Sequence, residues 1–439
     1  MRNIPRLPKL GIGIVWWPEL DPLCSPSEGL VQVIEAEPET FWVPCTPPKA
    51  GFCSRLPGAL AHLPQRKLLH GVGAPFGGPA AQSAAHRNAL AGDIKALRPA
   101  WISDHLSFDR FAAASEDGEQ DIFTGFLMPP AQGRAGVARA ADQIRARRES
   151  TGVPVAFETP VSYLPKLAGE LPDGAFAASV SETADCGILL DLHNLLCNER
   201  NGRQSVDEFC AALPLDRVWE IHLAGGAAER GFWLDAHAGV AEPVLMDMLA
   251  GLVPKLPSLG AITFEIVPEF VASTGLAAIA KMLGRLNDIW ATRPVAPQVP
   301  AYSRRHQALT EAADPIDPAL WETLLGASVT GRTRPDLPPD IAAWMSEAEG
   351  PLALYRFLAQ EGRASALVTS APRTIRLLLH SLGEMQTRGI LAQFWREAAP
   401  AYTSAEEGRG FLDFIACAGD AMPALRAAVA VDRAWLEYE

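Results

Sequence analysis

No Cys-x-x-Cys pair occurs in this chain of 439 residues, and its seven cysteines, at positions 24, 45, 53, 186, 197, 210 and 417, are odd in number and scattered. That absence argues against a structural zinc knuckle and a disulfide framework, so the cysteines read as reduced thiols in a cytoplasmic protein. Runs of lysine and arginine are missing too. With 38 basic residues against 51 acidic ones and a net charge of -13, the chain has no surface suited to nucleic acid. Nor is there a long apolar run. The stretch "GIGIVWW" is closed by Pro18 and Glu19, too short for a signal sequence with a cleavage site, and nothing later reaches the roughly 20 residues of a membrane helix. These absences predict a soluble, unexported protein with no nucleic-acid and no membrane partner, leaving peptides, metals and small molecules.

What is present is an ordinary globular composition, 48% apolar and 20% charged, in a chain longer than one core usually supports unless that core is a large barrel. The segment "ATRPVAPQVPAYS", residues 291–303, alternates Pro294, Pro297 and Pro300 with small residues and reads as an extended linker. Residues 1–290 precede it and residues 304–439, mainly of helical periodicity, follow it. In the first part eight short β-type runs recur, starting at Gly11, Leu30, Arg66, Pro99, Val153, Cys186, Arg217 and Ala261. Amphipathic stretches such as 135–150 and 244–255 lie between several of them. This alternation predicts an α/β fold, a (β/α)8 TIM barrel followed by a smaller, mainly α-helical domain.

The placement of polar residues within those runs carries chemistry. The last six end on His70, His105, Glu158, Asp191, His222 and Glu265. In a barrel of parallel strands every C-terminal end opens onto one mouth, so these side chains converge there from distant parts of the chain. Asp235 and His237, in "WLDAHAG", follow the seventh run and can reach the same place. His193 lies two residues beyond Asp191 in "GILLDLHNLL", and if the strand continues, both point to one face. A single buried histidine is ordinarily a hydrogen-bonded core residue. Five of the nine histidines grouped with four carboxylates are harder to explain that way, whereas His62, His86, His306 and His380 have no such placement.

Imidazole and carboxylate donors without thiolate suit iron, zinc or manganese. Nine candidate ligands exceed what one ion accepts, which points to two or three ions bridged by carboxylates, with Glu158 and Asp191 on adjacent strands as bridges. A cation would also offset the cost of burying Asp191 and would take His193 as a neutral ligand.

The segments "LLHGVG", "ISDHLSF", "FETPVSYL", "LLDLHN", "EIHLAG" and "DAHAGV" resemble, in order, the motif series of the multinuclear non-heme iron oxygenases, a TIM-barrel family that includes the methanobactin-forming enzymes. The resemblance covers approximately residues 10–290. It implies iron at His70, His105, Glu158, Asp191, His193, His222, Asp235, His237 and Glu265, with Glu158, Asp191 and His193 at the catalytic core. It further implies O2 as cosubstrate and a ribosomal precursor peptide as substrate, with a cysteine held through its thiolate and oxidised at its β-carbon. The chain departs from the family pattern in four places. A family His-Tyr pair after the first strand is absent from "GIGIVWWPEL". Glu37 and Gly226 stand where histidines are usual, and His193 stands where an asparagine is usual.

The segment Pro372 to Ile415, with "SLGE" followed by "PAYTSAEEGRGF", resembles the helical partner proteins that act with these oxygenases. The resemblance implies a peptide-binding partner fused in cis; a generic helical appendage is the alternative. A divalent-metal TIM-barrel hydrolase or isomerase, and a degenerate metal-binding scaffold, share the same vocabulary of histidines and carboxylates.

Overall fold

The computed structural model describes residues 7–45, 51–79, 83–115, 118–294, 314–334, 337–417 and 423–438. All eight β-type runs become strands of one closed barrel. We number them β1 (Gly11–Val15), β2 (Val33–Ala36), β3 (Arg66–Gly71), β4 (Ile102–His105), β5 (Val155–Glu158), β6 (Gly187–Asp191), β7 (Val218–Leu223) and β8 (Ala261–Phe264). Each pairs in parallel with its sequence neighbours, and β1 closes the ring on β8 through Gly11↔Ala261 to Ile14↔Phe264. Parallel strands are buried on both faces, which is why runs such as "GILL" need no polar alternation.

Helices return the chain from one strand to the next. The longer ones are Ala84–Leu97, Arg134–Thr151, Asp173–Ala184, Pro243–Leu252 and Leu276–Trp290. Ser83 caps the first by accepting from the backbone of His86, and Gly152, at φ 69°, ends the second in the left-handed conformation. The early connections are abbreviated: only a 3-10 turn, Pro18–Cys24, follows β1. The floor of the barrel is an apolar plug of Val33, Leu68, Trp101, Ala156, Trp219 and Ala261. Gly187 is needed there, because a Cβ at that position would lie 2.2 Å from Trp219 Cε3.

Above the plug the strands turn polar side chains inward. In β4 the alternation is plain: Ser103 faces His70 at 2.9 Å, while Asp104 faces outward to Arg147 Nη1 at 3.4 Å.

The chain divides into two compact units, Met1–Phe108 with Pro129–Pro318, and Asp109–Met128 with Ala319–Glu439. The second unit is discontinuous in sequence. Its helices Pro318–Thr330, Pro339–Glu347, Glu349–Ser370, Pro372–Glu397, Ser404–Cys417 and Pro423–Tyr438 are joined by a β-hairpin, Phe108–Ser115 and Gly118–Met128, which the chain inserts between β4 and β5. Phe126 of that hairpin meets Tyr355 edge-on, with ring centroids 6.0 Å apart. Of the expected linker, residues 295–303 lie outside the described residues, as does His306. No helix among the described residues is long and apolar enough to cross a membrane.

Two sequence expectations need correction. Cys45 and Cys53 form a disulfide, so the seven cysteines are not all thiols and the cytoplasmic reading loses that support. A short hairpin, Trp42–Pro44 against Phe52–Ser54, brings their Cα atoms to 5.1 Å. A pair eight residues apart carried no sign of that pairing. The second correction concerns His193. β6 stops at Asp191, whose side chain accepts from the backbone of Asn194 and caps the helix Leu192–Arg200. His193 therefore stands on the first turn of a helix rather than on the strand face.

Candidate metal centre

Three imidazoles and a set of carboxylates gather at the C-terminal ends of the strands. His70 Nε2 lies 2.9 Å from Glu158 Oε2, and His105 Nε2 lies 3.3 Å from the same oxygen. Each ring is fixed from behind. His70 Nδ1 is 2.9 Å from Ser103 Oγ and His105 Nδ1 is 3.2 Å from the carbonyl of Gly71, which is how metal-ligating histidines are ordinarily oriented. Asn194 Nδ2 donates to Glu158 Oε1 at 3.1 Å, so Oε2 alone is turned to the imidazoles.

Glu158, Asp191 and His222 form a second group of converging donors, which shares Glu158 with the first. From His222 the contacts run on to Glu265 Oε2 at 3.3 Å, from Glu265 Oε1 to His237 Nδ1 at 3.3 Å, and from His237 Nε2 to Asp235 Oδ1 at 2.9 Å. His193 Nε2 reaches the edge of this set, 3.8 Å from Asp235 Oδ1 and 3.5 Å from Cys197 Sγ. The structure thus brings all nine sequence-selected residues into one chain of contacts, with His193 the most peripheral. His237 adopts φ 47°, a conformation rare for a residue with a side chain and concentrated at functional sites.

Charge makes this assembly unusual. Burial pushes Asp191 up to about 8, with the charges of Glu158 and Asp235 acting in the same direction. Burial would raise Glu158 too, but the facing imidazoles of His105 and His70 more than offset it and hold its carboxyl down to about 2. His70 moves up to about 10, because Glu158 outweighs the burial that disfavours its charge. Against the same opposition from burial, Glu35 and Glu265 raise His222, and Asp235 and Glu265 raise His237. Burial lowers His193, which favours its neutral form.

The donor set fits metal ions on a direct observation. Glu158 Oε2, Asp191 Oδ2, His222 Nδ1 and Asp235 Oδ1 are buried without a hydrogen bond. Buried polar atoms are ordinarily paired, and each orphan costs about 1–3 kcal/mol. Here several orphans face one another at ligand spacing, and cations among them would remove the cost. The cluster is closed on one side and open on the other. His70, Glu158 and His222 side chains are at most 4% exposed, whereas those of His105, Asp235 and His237 are 17%, 15% and 23% exposed.

Three residues near the centre were not selected as ligands from sequence. Glu35, on β2, is fully buried 2.7 Å from His222 Nε2. Glu220, on β7, is anchored by Trp101 Nε1 at 2.7 Å and Thr263 Oγ1 at 2.9 Å. Asn194 holds Glu158. Glu220 stands two residues before His222, and that spacing in "WEIHL" is the signal that puts both inside the barrel. Glu37, noted as a family departure, lies near the same charges: burial and then Glu265 raise it.

The profile of the RiPP precursor modification enzymes MbnB/TglH/ChrH matches residues 18–268, more than half of the chain. The chain belongs to that family. All nine residues of the centre fall within the matched segment. A UPF0276 protein of Chromobacterium violaceum is 31% identical over 170 residues, 39% of this chain and 59% of its own length. One from Streptomyces avermitilis is 26% identical over 259 residues, 58% of this chain and 50% of its own. The chain therefore spans one half to three fifths of the length of these two relatives. Among solved structures, D-psicose 3-epimerase matches at 13% identity and a TM-score of 0.37, over 64% of this chain and 96% of that one. L-ribulose 3-epimerase matches at 15% identity and a TM-score of 0.39, over 65% and 95%.

Proposed function

We propose that this member of the family is a multinuclear non-heme iron enzyme that uses O2 to modify a residue, a cysteine, of a ribosomally made precursor peptide. The observation that carries the reading is the facing set of orphaned donors around Glu158 and Asp191. Three imidazoles with carboxylates and no thiolate in either group of donors suit iron, zinc or manganese, and the resemblance to the iron oxygenases favours iron among them. Bound iron would supply the redox chemistry with dioxygen and a place for the substrate thiolate.

The protein's own part is positional and electrostatic. Ser103 and Gly71 orient His70 and His105, and Asn194 turns Glu158 so that one oxygen serves both imidazoles. Glu158 and Asp191 are the bridging candidates. His193, neutral and next to Asp235, is available as a further ligand. The partly exposed side lined by His105, Asp235 and His237 is where a peptide would enter, while the closed side excludes water from the charges. We further propose that the helical unit serves as the family's partner in cis, binding the precursor and raising its effective concentration at the centre.

Anaerobic purification followed by metal analysis tests this reading, with at least two irons per chain as the expected result. Zinc alone, with no peptide modification after ferrous reconstitution, would favour a divalent-metal hydrolase or isomerase instead.

A further inference from the structure

His222 is held differently from the other two imidazoles. His70 and His105 present Nε2 to Glu158 and have Nδ1 secured from behind. In His222 the order is reversed. Its Nε2 is 2.7 Å from Glu35 Oε2, with both side chains fully buried, while its Nδ1 is buried without a hydrogen bond and lies 3.3 Å from Glu265 Oε2. Glu220, below this pair, has one oxygen on Thr263 and the other on Trp101, so its position is set from outside the pair.

We propose that Glu35 is a positioning residue for the metal centre: it accepts the Nε2–H of His222 and so fixes the tautomer in which Nδ1 is the metal ligand. The proposal rests on the metal reading above. The physical case is that neutral imidazole has one donor and one acceptor nitrogen, and whichever nitrogen a carboxylate engages as donor leaves the other as the ligand. Such a carboxylate also makes the ligand nitrogen more basic and stops the ring from flipping. The competing arrangement has an ion among Glu35, Glu220 and His222, whose donors also lie within 4.8 Å of one another. Glu35 would then be a ligand and His222 would bind through Nε2. The two arrangements assign opposite nitrogens of one ring.

The test uses the full chain with 15N-labelled histidine, loaded with Zn2+ alone as a diamagnetic probe and read by long-range proton–nitrogen correlation. His222 signals are assigned by their loss in His222→Gln. The expected result is a protonated Nε2 and a metal-shifted Nδ1 for His222, with the reverse for His70 and His105. A metal-shifted Nε2 on His222 overturns the proposal but keeps the metal reading. No metal shift on any histidine overturns both. Variants give a second readout in zinc affinity, with circular dichroism confirming the fold. Glu35→Ala should weaken the site holding His222 by about 10–100-fold. Glu35→Gln, whose carbonyl can still accept from Nε2–H, should recover much of that loss. Equal losses in the two variants would mark Glu35 as a ligand and overturn the positioning role.

Discussion

Both units of this protein bury charge, and they do so in opposite ways. In the helical unit Arg363 and Glu407 are 6% and 3% exposed, and the pair is closed on itself. Arg363 Nε meets Glu407 Oε1 at 2.5 Å, its other nitrogens donate to the carbonyls of Ala398 and Ala399, and Glu407 Oε2 accepts from the backbone of Ala401 at 3.0 Å. That pair ties the helix Glu349–Ser370 to the helix Ser404–Cys417, and its remaining hydrogen bonds fasten the turn between residues 398 and 401. At the barrel mouth the carboxylates instead turn oxygens toward one another and toward imidazoles that are themselves candidate ligands: Asp191 Oδ2 is buried without a hydrogen bond, and Glu158 Oε2 and Asp235 Oδ1 face histidine nitrogens. A structural ion pair uses up its bonding capacity, whereas a binding site holds some in reserve. This contrast, more than burial or the number of charges, separates scaffold from candidate site here.

The largest effect should come from removing the shared donor of the mouth. Glu158→Gln should fold normally and lose metal and peptide modification together, as read by metal analysis and mass spectrometry of the peptide. A folded, fully loaded and active variant would take Glu158 out of the centre. In the helical unit, Glu407→Ala leaves a buried guanidinium unpaired and should cost about 3–5 kcal/mol, lowering the melting temperature without changing metal content. The double variant Arg363→Met with Glu407→Leu should recover most of that stability, because two well-packed apolar residues carry no desolvation cost. A loss of metal in Glu407→Ala would erase the distinction between the two kinds of buried charge.

The pH response should divide the units as well. His70 is raised from 6.5 to about 10 by Glu158 in spite of burial. A raised histidine contributes stability that is fully present below pH 6.5 and is lost as pH climbs through the folded value. The metal-free barrel should therefore lose stability between those limits. Metal affinity should rise over the same window, because binding must expel the His70 proton. Among the described residues the helical unit has no buried histidine, so its own transition should change far less. Calorimetry of the metal-free protein at several pH values, alongside zinc titrations, checks both slopes.

How much of this was legible in the sequence follows from what each feature depends on. The barrel strands and the mouth residues were readable because strand ends share one location in this fold, so His70, His105 and Glu158 declared themselves by position alone. Glu35 was not, since Glu35, Glu37 and Glu39 follow one another at alternate positions in "VQVIEAEPETF", and nothing in that run says which of them the barrel turns inward. The disulfide between Cys45 and Cys53 depends on a three-residue hairpin pairing too short to show periodicity. The hairpin grouped with the helical unit escaped for another reason: its partners lie more than 200 residues away, as Phe126 and Tyr355 show. His193 was misplaced by one assumption, that β6 runs past Asp191. The capping carboxylate ends the strand there.

That change of element gives the smallest and most local prediction. Gly226 follows β7 and has no side chain where the family pattern usually has histidine. In its place, the imidazole of His193 occupies the space: a Cβ on Gly226 would lie 2.6 Å from His193 Cε1 and 2.6 Å from Trp233 Nε1. Such separations are well inside contact distance, and neither ring is free to yield, because His193 is fully buried and Trp233 lies under the guanidinium of Arg200, 4.3 Å from its centroid. Gly226→Ala should therefore cost about 1–3 kcal/mol of stability through overpacking. It should also displace His193 from Asp235 while leaving the group of His70, His105 and Glu158 untouched. Zinc titration would show that as one weakened site beside unchanged ones. The double variant Gly226→Ala with His193→Ala should restore the lost stability but not the weakened site, because it removes the clash and the ligand together. If Gly226→Ala weakens no site, His193 belongs to the packing of this side of the barrel and not to its metal centre.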